Sequence, residues 1–211
     1  MAEYRKDIND KDILYGSSED HQYMMEWEKG YMIDCIDYLE PHGDVLEIGF
    51  GMGYSASRIM KWKPKSYTVL EPDPLVYEKA LEWSKQYSNV KVIKQSWPDL
   101  SGLGKYDCFF FDPYLEGETS DICINDCAVT FFIVKCLSLV AKKHSRYSFY
   151  CSNQGNNIEI WCRNLYSVLS DLPNKIQFGI KIKPYDVEVP KNCNYCKTGW
   201  LHLSVVSVSE L

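Results

Sequence analysis

Short apolar runs alternate with segments of helical spacing along most of this chain. Between positions 22 and 39, apolar residues recur at steps of three and four, which predicts a helix. The residues on that face are Met24, Trp27, Tyr31, Cys35 and Leu39. The run Asp44–Ile48 then predicts a short buried strand, which leads into the glycine-rich stretch Gly49–Gly53 and a helix over about 54–61.

The alternation of strands and helices continues toward the C-terminal end. Further strands are predicted at 67–70, 90–93, 108–111, 147–151, 176–182 and 200–208, and helices at about 125–141 and 157–169. Asp73 as N-cap and Pro74 as first helical residue predict one more helix. This order is typical of an α/β fold with a parallel sheet. The last two strands, joined without an evident helix, predict an antiparallel hairpin. Residues 1–20 are polar and irregular, which predicts a flexible N-terminal arm beside a single domain at 21–211.

Composition narrows the function classes. The 211 residues carry a net charge of −6, which argues against nucleic acid as a partner because phosphate binding needs clustered cations. The densest basic stretch, Lys142–Arg146, is predicted to be a solvated turn. No apolar run approaches the roughly 20 residues of a membrane span, so no membrane contact is expected, and the N-terminus does not resemble a secretory signal.

The nine cysteines are scattered and odd in number, which predicts reduced thiols and a cytoplasmic location. Cys193-x-x-Cys196 is the one C-x-x-C pair of the sequence. A structural zinc site usually needs a second such pair. The two residues are therefore interpreted as ordinary thiols, and no metal is expected.

The glycine-rich stretch predicts a ligand-binding loop. Glu47-x-Gly49-x-Gly51-x-Gly53 ends the first predicted strand and opens a helix, so backbone N–H groups can approach a ligand closely. Glu71 ends the next strand, where an acidic side chain binds ribose hydroxyls.

Two cofactors fit this loop. Gly51-x-Gly53-x-x-Ala56 matches the dinucleotide fingerprint, which keeps a nicotinamide enzyme as an alternative. Glu47, two residues before the first glycine, suits the charged amino group of S-adenosylmethionine. The small chain also leaves little room for a second, substrate-binding domain. S-adenosylmethionine is therefore the favoured cofactor.

Two further carboxylates are candidates for substrate binding. Asp112 follows the fourth predicted strand, in the crevice where open α/β sheets bind ligands. Glu28 lies on the first predicted helix, at a position that ordinarily faces solvent. From the pattern alone, a turn-forming Asp-Pro explains Asp112 equally well, and Glu28 is interpreted as solvent-facing.

Several segments together resemble the guanidinoacetate N-methyltransferase family and the related Rmt-two-type arginine N-methyltransferases. They are Met24–Met32, Val45–Gly53, Ala56-Ser57-Arg58, Glu71, Ser96-Trp97, Asp112-x-Tyr114, Tyr150-Cys151 and Val189-Pro190-x-x-Cys193-x-Tyr195. The resemblance implies a class I S-adenosylmethionine-dependent methyltransferase. Its fold would be a Rossmann-like seven-stranded sheet with the last strand antiparallel.

The resemblance also implies which residues form the site. Glu28 and Asp112 would hold the guanidinium of the substrate and serve as the catalytic residues, and backbone N–H groups at Asn153 and Gln154 would bind its carboxylate. Tyr195 is a candidate substrate contact. With Glu47 added from the loop itself, the expected cofactor residues are Met24, Met32, Glu47, Phe50, Gly51, Met52, Gly53, Tyr54, Ser55, Glu71, Pro72, Asp73, Ser96, Trp97 and Asp112.

Departures from the family pattern bear on the substrate more than on the reaction. Lys29-Gly30 replaces Thr-Pro, and Gly53 stands where guanidinoacetate enzymes have Ala and the arginine-type relatives have Gly. The ankyrin region of the fungal arginine-type relatives is not in this sequence, which favours a small guanidino compound. Guanidinoacetate, giving creatine, is the first expectation. Arginine, free or in protein, and an inactive cofactor-binding scaffold are the alternatives.

Overall fold

The computed structural model describes residues 2–16, 21–113, 127–151, 158–171, 176–196 and 199–210. Its strands are β1 (Glu3–Lys6), β2 (Asp12–Tyr15), β3 (Gln22–Met25), β4 (Asp44–Ile48), β5 (Ser66–Leu70), β6 (Val90–Ile93), β7 (Tyr106–Phe111), β8 (Ala141–Phe149), β9 (Gln177–Asp186) and β10 (Trp200–Glu210). Its helices are α1 (Lys29–Leu39), α2 (Tyr54–Lys61), α3 (Pro74–Ser84), α4 (Cys127–Leu139) and α5 (Ile158–Ser170), with a 3-10 helix at Glu26–Glu28.

The main sheet has seven strands in the order β6-β5-β4-β7-β8-β10-β9. The pairs from β6 through to β8 are parallel, and β10 runs antiparallel to both β8 and β9. This topology confirms the predicted α/β sheet and its antiparallel C-terminal pair. None of the described helices is long and apolar enough to cross a bilayer.

Alternate residues of the central strands face the two layers that cover the sheet, as the pleat requires. Val45 and Phe110 belong to the core cluster that includes α1 and α2 residues. Leu46 and Phe109 belong to the cluster that includes α4 and α5 residues. Both faces of β7 are therefore buried, which explains its continuous apolar sequence.

Four strands end in register at the carboxyl edge of the sheet. Ile48 pairs with Leu70 and with Phe111, and Phe111 pairs with Phe149. The residues just past these strand ends therefore form one row across the edge: Glu71, Gly49, Asp112 and Tyr150. Backbone hydrogen bonds extend through the row, from Gly49 to Leu70, from Asp112 to Ile48 and from Tyr150 to Phe111, at 2.9, 3.0 and 3.1 Å.

The N-terminal region differs from the predicted irregular arm. β1, β2 and β3 form a three-stranded antiparallel sheet, and Ile13 and Leu14 in β2 are buried. The predicted helix over 22–39 is also too long, because residues 22–25 pair with β2 and α1 begins only at Lys29. Met24 and Trp27 have the spacing of a helix face. The backbone of residues 22–25 nevertheless forms its hydrogen bonds with β2 rather than within a helix.

The basic stretch Lys142–Arg146 is not the predicted turn but part of β8, which begins at Ala141. Ser145 within it is 1% exposed, and Lys142 binds the carboxylates of Asp44 and Asp107 at 2.5 and 2.6 Å. The strand therefore continues because its charged residues find partners at the amino edge of the sheet. The predictions for β4, α2 and β6 match the structure residue for residue.

Candidate active site

The glycine loop follows β4 and turns through three positive φ angles. Gly49, Gly51 and Gly53 have φ of 86°, 52° and 72°, a region that residues with a Cβ rarely adopt. Gly49 is also required by a close approach, because a Cβ there would lie 2.4 Å from the carbonyl oxygen of Asp112. The loop and Asp112 are therefore packed directly against each other.

Glu71 ties this loop to the end of β5. Its Oε2 accepts the N–H of Phe50 and its Oε1 accepts the N–H of Asp73, both at 2.9 Å. A carboxylate offers about four lone-pair positions, so positions remain for the hydroxyl groups of a ligand. Burial raises the pKa of Glu71. Asp73 in turn caps α3, and its Oδ1 accepts the N–H groups of Leu75 and Val76 at 2.9 and 3.1 Å.

Glu47 supports the loop from the interior of the sheet. Its side chain is fully buried and accepts hydrogen bonds from the hydroxyls of Ser55 and Tyr67. Burial raises the pKa of Glu47 to about 8. Because Ser55 lies in the first turn of α2 and Tyr67 in β5, this carboxyl joins the loop helix to the neighbouring strand.

Glu28 ends the 3-10 helix and is 2% exposed. Its Oε1 accepts the N–H of Met25 at 3.0 Å and the hydroxyl of Tyr195, whereas no described residue donates to its Oε2. Trp27 stacks on Tyr195 with 6.3 Å between ring centroids, which holds the tyrosine in place. Burial raises the pKa of Glu28 to about 7, even though Tyr195 and Met25 donate hydrogen bonds to it.

Asp112 follows β7 in the edge row. Its backbone N–H donates to the Ile48 carbonyl, but no described residue donates a hydrogen bond to its carboxylate. Burial raises its pKa well above the ordinary value, and the charges of Glu28 and Glu47 raise it further. Two acidic side chains, Glu28 and Asp112, thus repel each other with no described cation between them. Such a pair is stabilised by an incoming cation.

A cavity of about 500 Å³ opens at this edge of the sheet. It brings together a large part of the predicted site, since its wall includes Met24, Glu28, Gly51, Glu71, Pro72, Asp73, Ser96, Trp97 and Asp112. None of the described lining residues is Lys, Arg or His. The cavity is therefore acidic, which favours cationic ligands and disfavours the pyrophosphate of a dinucleotide.

The other predicted cofactor residues lie around the loop rather than on the cavity wall: Met32, Glu47, Phe50, Met52, Gly53, Tyr54 and Ser55. Met32 is fully buried in α1. The Phe50 ring packs against Trp83 with 5.4 Å between centroids. The predicted substrate-carboxylate site at Asn153 and Gln154 lies outside the described residues.

Sequence reasoning missed the part that the N-terminal sheet plays in this site. Leu14, Gln22 and Tyr23 line the cavity, and the Tyr4 hydroxyl donates to the Gly51 carbonyl at 2.7 Å. The pair Ile13-Leu14, apolar within a polar segment, is the sequence signal that the described residues 2–16 pack against the rest of the fold. Tyr195 lines the cavity beside Glu28 and stays a candidate substrate contact.

The C-x-x-C pair lies in the same region of the fold. Cys193 and Cys196 are 2% and 1% exposed, and the charge of Glu28 contributes to the raised pKa of Cys193, after burial. No group of three or more His, Cys, Asp and Glu side chains within the described ranges is arranged to hold a metal ion.

Comparison with known proteins gives one family and two relatives. The family model described as guanidinoacetate N-methyltransferase matches residues 3–138. The chain is 25% identical over 147 residues to protein arginine N-methyltransferase 2 of Gibberella zeae, covering 60% of this chain and 32% of that protein. It is 30% identical over 119 residues to protein arginine N-methyltransferase 2 of Candida glabrata, covering 50% of this chain and 29% of that protein. The match thus spans about a third of the length of these curated relatives.

The fold is also shared with solved structures. A methyltransferase from Pyrococcus furiosus superposes with a TM-score of 0.61 and 15% identity, covering 87% of this chain and 83% of that one. At this level of identity the likeness establishes the fold, which is that of class I methyltransferases.

Proposed function

Because this chain belongs to the guanidinoacetate N-methyltransferase family, an S-adenosylmethionine-dependent family whose model matches residues 3–138, we propose that it methylates a guanidino nitrogen of a small molecule. Guanidinoacetate, which would become creatine, is the first candidate acceptor. The observation that supports a guanidino acceptor most directly is the pair Glu28 and Asp112. Both carboxyls line the same cavity, and both have raised pKa values. Each has at least one oxygen to which no described residue donates a hydrogen bond.

The residues around the loop fit the cofactor of this family. S-adenosylmethionine supplies a methyl group on a positively charged sulfur. The acidic wall suits that charge, and the unused lone pairs of Glu71 suit a pair of ribose hydroxyls. Met24 packs closely on the loop, because a Cβ at Gly51 would lie 2.9 Å from the Met24 sulfur. A dinucleotide would instead place its phosphates against carboxylates.

The two carboxylates can orient a guanidinium. That group is planar, and its N–H donors form a fork that matches two carboxylate oxygens. Glu28 offers Oε2 while its Oε1 is held by Met25 and Tyr195, and Asp112 offers its whole carboxylate. Held between them, the substrate has one fixed plane, so a chosen nitrogen faces the loop. Such alignment can supply roughly 7–11 kcal/mol of the barrier.

Asp112 is also placed to accept a proton. A guanidinium has a pKa above about 12, so it reaches the site fully protonated and must lose a proton as the new N–C bond forms. Burial and the neighbouring acids raise the pKa of Asp112 in the free protein. The bound guanidinium keeps the Asp112 carboxylate ionised until the reacting nitrogen gives up its proton. The transferred proton would therefore reside on Asp112 Oδ at the end of the step.

Arginine is the second candidate acceptor. The two curated relatives are named as arginine N-methyltransferases, and Gly53 matches the arginine-type pattern. Arginine presents the same forked cation, so Glu28 and Asp112 would serve both acceptors equally well. The difference between them lies in the tail that leads away from the guanidinium.

Product identification tests the proposal. The protein is incubated with S-adenosylmethionine and, in parallel, with guanidinoacetate, free arginine and an arginine-containing peptide, and the products are analysed by mass spectrometry. We expect methylated guanidinoacetate from the wild type. Methylation of arginine alone would select the second acceptor, and cofactor binding without turnover of any guanidino compound would identify an inactive scaffold.

A further inference from the structure

Tyr150 is a polar residue of the cavity wall that none of the predicted roles uses. It directly follows β8, and the pairing of Phe111 with Phe149 places it beside Asp112 in the edge row. Neighbouring strands lie about 4.8 Å apart, and side chains in register share one face of a parallel sheet. The Tyr150 side chain and the Asp112 carboxylate therefore stand next to each other at the cavity.

The Tyr150 hydroxyl is buried, and within the described parts of the chain it has no hydrogen-bond partner. Buried polar groups are usually satisfied, and one that is not calls for an explanation. Burial raises the pKa of Tyr150 well above its ordinary value, and the charges of Glu28 and Asp112 contribute to the rise. The hydroxyl is thus a neutral group close to both carboxylates, able to accept one hydrogen bond and donate another.

Packing on the opposite side holds Tyr150 in this position. Its ring meets Tyr31 edge-on, with 5.6 Å between centroids. The Tyr31 hydroxyl donates to the His202 carbonyl at 2.7 Å and accepts the N–H of Cys151 at 3.0 Å. Tyr31 therefore contacts the Tyr150 ring and also binds the backbone N–H of the next residue, Cys151. These contacts hold the Tyr150 hydroxyl in position before any substrate binds.

A count of hydrogen-bond donors gives this hydroxyl a role. A singly substituted guanidinium carries five N–H groups. Asp112, binding in fork geometry, accepts two of them. Glu28 accepts at most two more through Oε2, because Met25 and Tyr195 already hold its Oε1. At least one N–H is then left inside the cavity. Leaving that N–H without an acceptor would cost the desolvation of a charged donor. Two carboxylates already exceed the single charge of the guanidinium, so a neutral oxygen is a better further acceptor than a third carboxylate.

We propose that Tyr150 is a third substrate-contacting residue, whose hydroxyl oxygen accepts the remaining N–H of a guanidinium bound between Glu28 and Asp112. This inference rests on the proposed function and adds to it. The site recognises the number of N–H groups on the cation as well as its charge. Tyr150 then favours guanidinium over cations that carry fewer N–H groups.

Tyr150→Phe removes one oxygen and keeps the ring. Because a hydrogen bond to a charged group contributes about 1.5–3 kcal/mol, we expect the KM for the guanidino acceptor to rise by about 10- to 100-fold. Cofactor affinity by calorimetry and the thermal midpoint should stay at wild-type values. Tyr185→Phe is the matched control. Tyr185 also packs against Tyr31, with 5.4 Å between ring centroids, but it is not among the described residues of the cavity wall. The KM of the Tyr185→Phe variant should therefore equal that of the wild type.

An unchanged KM in Tyr150→Phe, or an equal loss of cofactor affinity, would overturn the inference while leaving the proposed function intact. A wild type that neither binds nor methylates any guanidino compound would overturn both. If the variant fails to fold, a crystal structure of the wild type with guanidinoacetate and S-adenosylhomocysteine decides instead. We expect the Tyr150 oxygen at about 3 Å from a guanidinium nitrogen, and a hydroxyl turned away from the ligand would refute the assignment.

Discussion

Acidic side chains stand at both ends of the central strands β4 and β7, in opposite electrostatic states. At the amino ends, Asp44 and Asp107 share Lys142, whose Nζ lies 2.5 and 2.6 Å from their carboxylates. Lys142 and Ser66 hold the pKa of Asp44 below its usual range. At the carboxyl ends, Asp112 shares the cavity with Glu28 of the 3-10 helix. These two acids have no such cation among the described residues, and their pKa values are raised.

The difference shows what each end does. The amino end supplies its own counter-ion and joins β4, β7 and β8, which is a structural task. The carboxyl end keeps two buried acids without one, a costly arrangement in a low-dielectric interior. The stability of the fold does not require these two unpaired acids. A cationic ligand that binds between them would provide the missing counter-charge. The predictions below test this contrast.

The largest effect is expected from Asp112→Asn. The amide cannot accept the proton released from the guanidinium, so kcat should fall by about 10²–10⁴-fold. The variant should still bind the cofactor. Asp107→Asn is the matched control, because it alters an aspartate at the other end of the same strand and should leave kcat at the wild-type value. Equal kcat in Asp112→Asn and the wild type would remove Asp112 from the proton transfer.

Glu28→Gln should act on substrate binding. The amide keeps an oxygen for Met25 and Tyr195 but loses the charge that faces the guanidinium, so the KM of the acceptor should rise by about 10- to 100-fold. Steady-state kinetics checks this. Glu26→Gln, on the same 3-10 helix, is the control. Glu26 accepts a hydrogen bond from the backbone N–H of Asp12 and forms an ion pair with Lys11. The KM of the Glu26→Gln variant should therefore equal that of the wild type. If both variants behave alike, Glu28 does not contact the substrate.

The last effect concerns stability and pH. The folded chain holds the carboxyl protons of Glu28 and Glu47 up to about pH 7 and 8, whereas the unfolded chain releases them near 4.5. Raising the pH from about 5 to 8 should therefore lower the free energy of unfolding, by up to about 1.4 kcal/mol per pH unit for each group. The pair Asp44 and Lys142 acts in the opposite direction, because the lowered pKa of Asp44 stabilises the fold above about pH 4 and this contribution is lost in acid.

Urea denaturation at several pH values measures this slope. In Glu47→Gln the slope between pH 5 and 8 should be shallower than in the wild type, because one of the buried carboxyls with a raised pKa no longer titrates. Glu26→Gln should keep the wild-type slope, since the backbone N–H of Asp12 and the ammonium of Lys11 lower the pKa of Glu26. A stability that rises from pH 5 to 8 would show that the buried carboxyls are ionised in the free protein.

The sheet, the glycine loop and the acid at the end of β5 could be predicted from sequence because each depends on local signals. Buried strands are apolar runs, and Gly49 stands where a close backbone approach excludes a Cβ. The N-terminal strands could not be predicted in this way. In β1 only Tyr4 is apolar, and its position depends on a hydrogen bond to Gly51, far along the chain.

The site itself was predictable only in part, for the same reason. Resemblance to a family identified Glu28 and Asp112, but their shared cavity and raised pKa values follow from packing that no local pattern encodes. From the sequence alone, Tyr150 cannot be distinguished from the aromatic residues of the core. Its place beside Asp112 follows from the register of β7 and β8, and register is a property of two strands rather than one.

Calorimetric titration of the wild type with guanidinoacetate, in the presence of S-adenosylhomocysteine and in two buffers of different ionisation enthalpy, tests the acidic pair most directly. A cation between Glu28 and Asp112 should lower the pKa of both carboxyls, so binding at pH 7 should release protons to the buffer. The apparent enthalpy would then differ between the buffers, and the difference should shrink in Glu28→Gln. Binding with the same enthalpy in both buffers would contradict the account, because the guanidinium would then be held away from these two acids.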